Sequence, residues 1–235
     1  MAKYMLMVSE GYLVTTIGND NYIIDTGTTT SYSCSGSKDL HIGEYDFFIQ
    51  QWPFPYASEI ISELVHLPVA GLIGLDIMEK LETVEISKQD GYVLFGESLT
   101  AEGDELPFIF EEYKGHKVIT TNLMVNGKGA KVILDTGARI DYLDTALLDT
   151  SEVARHEKDY NPIIGEIEVD GYRSIYGIGD RQFATISYAA TNVLRQYVSV
   201  LNISDLSGVI GLNAFWDSMK SIAFDFRNRK LVFQA

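Results

Sequence analysis

The sequence predicts an all-β protein made of two similar lobes, with a few short helices. Most of the 235 residues fall into short apolar and β-branched stretches that are separated by frequent turn signals. The chain lacks the alternation of strands and helices that a parallel sheet requires. A set of motifs from the first half returns in the same order in the second half, which indicates an internal repeat.

Composition and charge narrow the classes of function. The chain is 46% hydrophobic and 22% charged, which is typical of a globular protein rather than a disordered one. Its 14 tyrosines and 11 phenylalanines favour strands. A formal net charge of -15 argues against a nucleic-acid partner and mildly favours neutral or basic ones. A well-solvated acidic surface accounts for most of this charge.

Signals for compartment are few. Cys34 is the single cysteine, so no intrachain disulfide can form, which fits a reducing compartment. The apolar run at residues 5–8 is broken by Ser9 and Glu10 and does not resemble a signal peptide. No apolar stretch approaches the ~20 residues of a membrane span. We therefore expect a cytoplasmic protein with no membrane partner.

The repeat has two blocks. In "NYIIDTGTTTSY" an apolar strand leads into Asp25-Thr26-Gly27, and in "KVILDTGARIDY" a second one leads into Asp135-Thr136-Gly137. The later block opens "GLIGLD" at Gly71 and "GVIGLN" at Gly208, and each copy continues into a hairpin. Asp76 and Asn213 occupy equivalent positions in these copies and are expected to hold local turns. Two such copies are hard to attribute to chance.

The boundary between the lobes is predicted within residues 97–117, "ESLTAEGDELPFIFEEYKGHK". The acidic start of this stretch resembles a linker, and "LPFIF" resembles a strand that could bridge the lobes. The predicted lobes are residues 1–105 and 106–235. Helices are predicted at residues 57–66, 75–81 and 212–220. Hairpin turns are predicted at Asn126-Gly127 and Asp170-Gly171.

A strand that ends in Asp-Thr-Gly projects a carboxylate from a tight loop, and the glycine allows another segment to approach closely. If the two lobes pack about a twofold axis, Asp25 and Asp135 become neighbours. Two carboxylates a few ångströms apart cannot both ionise cheaply, so they share a proton. Such a pair can activate a water molecule and polarise a carbonyl group, and it titrates as a unit.

The sequence resembles the aspartic proteases, the group that includes pepsin and the retroviral proteases. The repeats cover nearly the whole chain, and each lobe is closer in length to a retroviral unit than to a pepsin lobe. The residues that carry the resemblance are Asp25-Thr26-Gly27-Thr28, Asp135-Thr136-Gly137-Ala138, Leu72-Ile73-Gly74 and Val209-Ile210-Gly211.

The resemblance implies a bilobal, acid-protease-like double β-barrel with pseudo-twofold symmetry. It implies that Asp25 and Asp135 are the catalytic pair and that Thr26 and Thr136 grip across the lobes. The active-site loops would be completed by Gly27, Thr28, Gly137 and Ala138. The two Gly-x-Ile-Gly segments would thread beneath these loops.

Family members cover the cleft with a hairpin, called the flap. Residues 174–188, "SIYGIGDRQFATISY", contain Tyr176-Gly177-Ile178-Gly179, which resembles a pepsin-type flap tip. A plain surface hairpin is the alternative. Pepsin-type enzymes carry the flap in the first lobe, whereas this candidate lies in the second. The hairpin at residues 33–47 lacks the Tyr-Gly-x-Gly tip, so we expect one flap from lobe two and a stub from lobe one.

The leading hypothesis is an aspartic endopeptidase that acts on a peptide or protein substrate as a monomer, without a cofactor. The four histidines lack ligand spacing, so no metal site is expected. A non-catalytic peptide-binding module on the same scaffold is the alternative, and a purely structural protein would leave the paired motifs unexplained. Glycosidases also use two carboxylates but do not need the Thr-Gly repeats.

Overall fold

A computed structural model describes residues 1–53, 57–96, 103–161, 165–216 and 218–234. Within these ranges the helices are α1 (Ala57–Val65), α2 (Leu75–Met78), α3 (Thr191–Leu201) and α4 (Asn213–Trp216), with a 3-10 turn at Thr145–Leu147. The strands are β1 (Ala2–Ser9), β2 (Tyr12–Ile17), β3 (Asp20–Ile24), β4 (Tyr32–Ser33), β5 (Lys38–Ile42), β6 (Tyr45–Gln51), β7 (Gly71–Ile73), β8 (Thr83–Ser87), β9 (Tyr92–Gly96), β10 (Asp104–Pro107), β11 (Ile109–Tyr113), β12 (His116–Val125), β13 (Lys128–Leu134), β14 (Tyr142–Leu143), β15 (Arg155–Asn161), β16 (Gly165–Ile178), β17 (Arg181–Ala189), β18 (Leu206–Ile210), β19 (Ser221–Asp225) and β20 (Lys230–Gln234).

The described strands form two sheets, which confirms the predicted all-β class. One sheet has the order β10-β20-β19-β8-β9-β1-β2-β3-β7-β4-β6-β5. The other has the order β11-β12-β13-β18-β14-β17-β16-β15, and β12 also pairs with β16. Alternating side chains explain the covered faces: in β5 and β6, Leu40, Ile42, Phe47 and Ile49 are buried while the residues between them point outward.

The first half of the chain (β1–β9) and the second half (β11–β20) repeat one pattern of strand pairing. In the first half, β3 pairs with β7 in parallel, β4 pairs with β7 in antiparallel fashion, and β4 pairs with β6 in parallel. In the second half, β13, β18, β14 and β17 repeat these three pairings. In each half, therefore, the strand that ends in Asp-Thr-Gly lies beside the Gly-x-Ile-Gly strand.

The two halves are joined through one continuous sheet. Strand β8 of the first half pairs with β19 of the second, with Val84 opposite Phe224 and Ile86 opposite Ile222. Strand β10 pairs with β20, whereas β11 belongs to the other sheet. The predicted bridging segment is therefore two strands separated by Phe108, and the predicted linker at residues 97–102 lies outside the described residues.

Helices were predicted at three places where the structure has them, although α2 and α4 are shorter than predicted. Helix α3 was not predicted. Its buried residues Val193, Leu194 and Leu201 follow a helical spacing, but its β-branched residues favoured a strand. The helix ends at Asn202, whose left-handed backbone (φ 55°) is typical of a helix C-terminus. No helix in the described part of the chain is long and apolar enough to cross a membrane.

One of the two predicted hairpin turns is confirmed. Asn126 and Gly127 both have positive φ and join β12 to β13. The prediction of a turn at Asp170-Gly171 is wrong, because β16 runs straight through both residues. Gly171 is instead a close-approach position: a Cβ atom there would lie 2.6 Å from Cγ2 of Ile186 on the neighbouring strand β17.

Replacing Gly171 with alanine is therefore expected to overpack the β16–β17 pair and to lower the free energy of unfolding by about 1–3 kcal/mol. The matched control is Gly129→Ala, where an added Cβ atom meets nothing within 4 Å and the backbone is not left-handed. Urea denaturation of both variants checks this. Equal stability of the two variants would contradict the close-approach explanation.

Candidate active site

Asp25 and Asp135 each follow a central strand and are tethered at two points. The backbone N–H of Asp25 donates to the carbonyl of Ile73 (3.0 Å), and that of Asp135 donates to the carbonyl of Ile210 (2.9 Å). Each Oδ1 atom accepts a hydrogen bond of 2.9 Å from the backbone N–H two residues later, in Gly27 and Gly137 respectively. The Gly-x-Ile-Gly strand and the loop together fix the direction of each carboxyl group.

The structure brings the two carboxyl groups together, and each lies against the glycine of the opposite loop. A Cβ atom on Gly27 would lie 2.3 Å from Cγ of Asp135, and one on Gly137 would lie 2.5 Å from Cγ of Asp25. Any residue other than glycine would occupy the space of the opposite carboxyl group. The two carboxyl groups are close enough for the charge of Asp135 to raise the pKa of Asp25.

Thr26 and Thr136 clamp the two loops by reciprocal hydrogen bonds. The backbone N–H of each donates to the hydroxyl of the other at 3.0 Å. The hydroxyl of Thr26 donates to the carbonyl of Leu134 (2.9 Å), and that of Thr136 donates to the carbonyl of Ile24 (2.8 Å). Both side chains are buried, and each hydroxyl is used as both donor and acceptor. This is the cross-half grip that the resemblance implied.

The Gly-x-Ile-Gly segments pass directly beneath the loops, at distances that only glycine allows. A Cβ atom on Gly211 would lie 2.0 Å from the carbonyl oxygen of Ala138, and one on Gly74 would lie 2.9 Å from that of Thr28. The backbones of Thr28 and Ala138 therefore pack against the second block of each repeat, at the bottom of the site.

Beneath the first loop, Asp76 binds Ser31, which lies 45 residues away, so the prediction that it holds a local turn is wrong. Its Oδ1 atom accepts hydrogen bonds from the backbone N–H (2.9 Å) and hydroxyl (2.6 Å) of Ser31. The hydroxyl of Ser31 in turn accepts from the backbone N–H of Gly74 (2.8 Å). A carboxylate thereby supports the segment under the Asp25 loop.

The second half achieves the same support with different residues. Asn213 donates to the carbonyl of Arg139 (2.9 Å), which lies 74 residues away in the chain, so it too supports a distant segment rather than the predicted local turn. The carboxylate is now Asp141, whose Oδ1 atom accepts from the backbone N–H of Gly211 (2.8 Å). Burial raises the pKa of Asp141 to about 6. Sequence reasoning missed Asp141, although aligning the two Asp-Thr-Gly segments places it opposite Ser31.

The environment of the paired carboxyl groups favours their protonated forms. Burial raises the pKa of Asp25 well above its ordinary value, and the charge of Asp135 raises it further. Burial also raises the pKa of Asp135, against the opposing effect of hydrogen bonds from Gly137 and other donors. The pair therefore keeps a proton at a pH where a free aspartic acid has lost it.

The prediction that Tyr176, Gly177, Ile178 and Gly179 form the flap tip is wrong. Tyr176 is fully buried: its hydroxyl donates to Oδ2 of Asp141 (3.1 Å) and bonds the Ser187 hydroxyl at 2.6 Å. Gly177 pairs with Met124 of β12, Ile178 is buried, and Arg181, just after the turn at Gly179, forms an ion pair with Asp104 of β10. These contacts place the turn beside β10 and β12, away from the paired carboxyl groups.

The hairpin that faces the cleft is formed by the other end of β16 together with β15. A cleft of about 700 Å³ separates this hairpin from the first half. Tyr12 lines it, and burial and the charge of Asp159 raise the pKa of Tyr12 to about 12, with smaller contributions from Asp135 and Asp25. The residues that line the cleft are Glu10, Tyr12, Leu64, Arg139, Glu157, Lys158, Asp159, Tyr160, Glu166, Ile167 and Glu168.

The difference between the halves lies in this hairpin. In the first half, β5 and β6 correspond to β16 and β17, but only residues 34–37 separate β4 from β5 and no strand corresponds to β15. The asymmetry predicted from the spacing is thus present, on a different hairpin. The sequence did not reveal the β15–β16 hairpin, because the Tyr-Gly-Ile-Gly pattern lies at the opposite end of β16, a strand of 14 residues. Residues 162–164, between β15 and β16, lie outside the described residues.

Comparisons with known proteins bear on the fold. No family model matches the chain, and no curated protein matches it. Among the solved structures that resemble it is the crystal structure of edgp, with a TM-score of 0.51 and 9% identity, covering 100% of this chain and 95% of edgp. At this identity the likeness shows the fold alone. Within the described residues, no group of three or more His, Cys, Asp or Glu side chains is arranged to hold a metal ion.

Removing one hydroxyl of the clamp should be costly. In Thr26→Val the shape is kept, but the backbone N–H of Thr136 and the carbonyl of Leu134 lose their buried partner. We expect the free energy of unfolding to fall by about 2–4 kcal/mol. Thr26→Ser keeps the hydroxyl and is the control. Urea denaturation in which both variants lose the same amount would contradict a hydrogen-bonded clamp.

The buried carboxyl group of Asp141 should make stability depend on pH. Its pKa is about 6 in the folded protein against 3.8 ordinarily, so ionising it destabilises the fold increasingly as pH rises from 3.8 through 6. Asp141→Asn can accept from Gly211 and donate to Tyr176 without that charge. Relative to the wild type, the variant should gain on the order of 2–3 kcal/mol in unfolding free energy between about pH 4 and pH 7.5. Parallel pH profiles would contradict this.

Proposed function

We propose that the chain is an aspartic-type endopeptidase that hydrolyses peptide bonds with a water molecule activated by Asp25 and Asp135. The observation that carries the proposal is the pair itself. Two carboxyl groups interact through their charges, and each lies against the glycine of the opposite loop, with the loops clamped by Thr26 and Thr136. Such a construction fixes two carboxyl groups at one point, where a single water molecule can contact both.

The proposal includes the finer description of the fold: a bilobal, acid-protease-like double β-barrel with pseudo-twofold symmetry. The repeated strand pairings of the two halves support it. So does the antiparallel pairing of β8 with β19, because each of these strands follows the short helix after the Gly-x-Ile-Gly segment of its half. One chain supplies both carboxyl groups, so a monomer would hold a complete site.

The proposed reaction needs only the pair and water. The ionised carboxyl group takes a proton from the water, whose oxygen attacks the carbonyl carbon of the scissile peptide bond. The protonated carboxyl group donates its proton to the carbonyl oxygen, which gives a tetrahedral diol. One carboxyl group then takes a hydroxyl proton, the other donates its proton to the nitrogen, and the C–N bond breaks. The pair ends with one proton, as it began, so neither member has a fixed role.

The raised pKa values set the expected direction of the pH dependence. Catalysis requires one proton on the pair, so activity falls at low pH when a second proton binds and at high pH when the last one leaves. Because burial raises the pKa of both carboxyl groups, the loss of activity at high pH should occur well above the pKa of an ordinary aspartic acid. The substrate would be an extended peptide segment in the cleft beside Tyr12 and the β15–β16 hairpin.

Replacing either carboxyl group should abolish turnover. Asp25→Asn and Asp135→Asn keep the size of the side chain but remove the shared proton, and we expect the rate to fall by roughly a thousandfold or more. The measurement is cleavage of a mixed peptide library between about pH 3.5 and pH 8. Asp46→Asn, on an exposed hairpin, makes the same chemical change away from the cleft and is the control.

Near-full activity in either variant of the pair would contradict the proposal. Binding of library peptides or of the inhibitor pepstatin by the wild type, without any cleavage, would instead indicate the peptide-binding module.

A further inference from the structure

We infer that Arg139 is a positioning residue that holds strand β15 beside the paired carboxyl groups and thereby sets how tightly a peptide is bound. The inference rests on the proposed function for its kinetic consequence. The holding of β15 itself rests only on contacts of the described residues.

The guanidinium group of Arg139 is bound by three consecutive residues of β15. Its Nε atom donates to Oδ1 of Asp159 (3.1 Å), and Nη1 donates to Oε1 of Glu157 (3.3 Å). Its Nη2 atom donates to the backbone carbonyl of Lys158. Each of the three nitrogen atoms therefore donates to β15, which indicates that Arg139 places the strand.

These ion pairs are shielded from solvent more than most surface pairs. The side chain of Arg139 is 22% exposed, while those of Asp159 and Glu157 are 6% and 17% exposed. The second oxygen of Asp159 accepts from the hydroxyl of Tyr142, which is buried in β14. Pairs of this kind, with a planar fork and oriented acceptors, constrain geometry more strongly than exposed pairs do.

The other side of Arg139 is fixed to the catalytic loop and to the first half. Arg139 comes four residues after Asp135, and its carbonyl accepts from Asn213. The turn between β1 and β2 lies against its aliphatic stem: a Cβ atom on Gly11 would be 2.7 Å from Cγ of Arg139. Arg139 thus joins the Asp135 loop, the first half and β15 at one point.

Strand β15 needs such a support because it is the edge strand of its sheet. Among the described strands it pairs with β16 alone, so none of them holds its other edge. The first half provides an internal comparison. There the residue equivalent to Arg139 is Thr29, whose hydroxyl bonds the backbone of Lys117 (2.6 and 3.0 Å), and the described residues contain no strand equivalent to β15. The arginine occurs only in the half that has the hairpin.

The test is Arg139→Met, which keeps the stem against Gly11 and removes all three donors. The matched control is Arg155→Met. Arg155 is exposed, lies on the same strand and also forms an ion pair with Glu157 (3.0 Å). Hydrogen–deuterium exchange of the full chain without substrate should show β15 amides exchanging about tenfold faster in Arg139→Met and unchanged in the control. With a cleaved peptide, KM should rise about tenfold while kcat changes less than about threefold.

Two further variants sharpen the result. Arg139→Lys keeps the charge but not the fork and should restore part of the protection and part of the KM. Asp159→Asn removes the charge and keeps one acceptor oxygen in place of the two that Arg139 and Tyr142 use, and it should give a smaller increase in exchange of the same amides. Asp159→Asn also tests the inference if Arg139→Met fails to fold.

Exchange of β15 in Arg139→Met equal to that of the wild type would overturn the inference, whether or not the chain cleaves peptides. Faster exchange with unchanged KM and kcat would overturn the link to peptide binding. If the wild type cleaves nothing, faster exchange in Arg139→Met alone still supports the holding of β15, while the proposed protease activity fails separately.

Discussion

The reciprocal hydrogen bonds of Thr26 and Thr136 are the interaction on which the candidate site depends. Each threonine joins its own loop to the strand end of the opposite half, so neither loop can shift without breaking bonds in both. Gly27 and Gly137, which follow the threonines, then leave room for the opposite carboxyl group to lie against them. The clamp holds the two acidic groups near each other, so the charge of Asp135 raises the pKa of Asp25.

Around this symmetric centre the two halves have diverged in their supports. The carboxylate beneath the loop belongs to Asp76 in one half, where it binds Ser31, and to Asp141 in the other, where it binds the backbone N–H of Gly211. In the first half it is Ser31 that binds the backbone N–H of Gly74. The residue four positions after each catalytic candidate is Thr29 in one half and Arg139 in the other. The framework thus tolerates exchange of supporting residues as long as buried donors and acceptors remain paired.

The centre of the site could be predicted from the sequence because its constraints are local. An apolar strand followed by Asp-Thr-Gly, twice, dictates buried strands, tight loops and close approach. The all-β class and the structural importance of Asp76 and Asn213 follow from the same repeat. The flap position could not be predicted in this way. Which end of β16 faces the cleft depends on tertiary pairing with β12 and β10, and Tyr176 at a glycine-rich turn gives no local signal of its burial. Gly171 shows the same limit, since a close approach and a turn both select glycine.

Strand pairing in the central part of the larger sheet also sets the order in which parts of the protein can fold. Strand β8 can pair with β19, and β10 with β20, only after the second half has been synthesised. The first half therefore leaves the ribosome with one edge of β8 unpaired, and β10 waits for the final described strand. Such long-range pairing is slow to form and leaves an exposed edge open to association with other nascent chains. The protein is expected to depend on protection of that edge during synthesis more than a pair of independently folding lobes would.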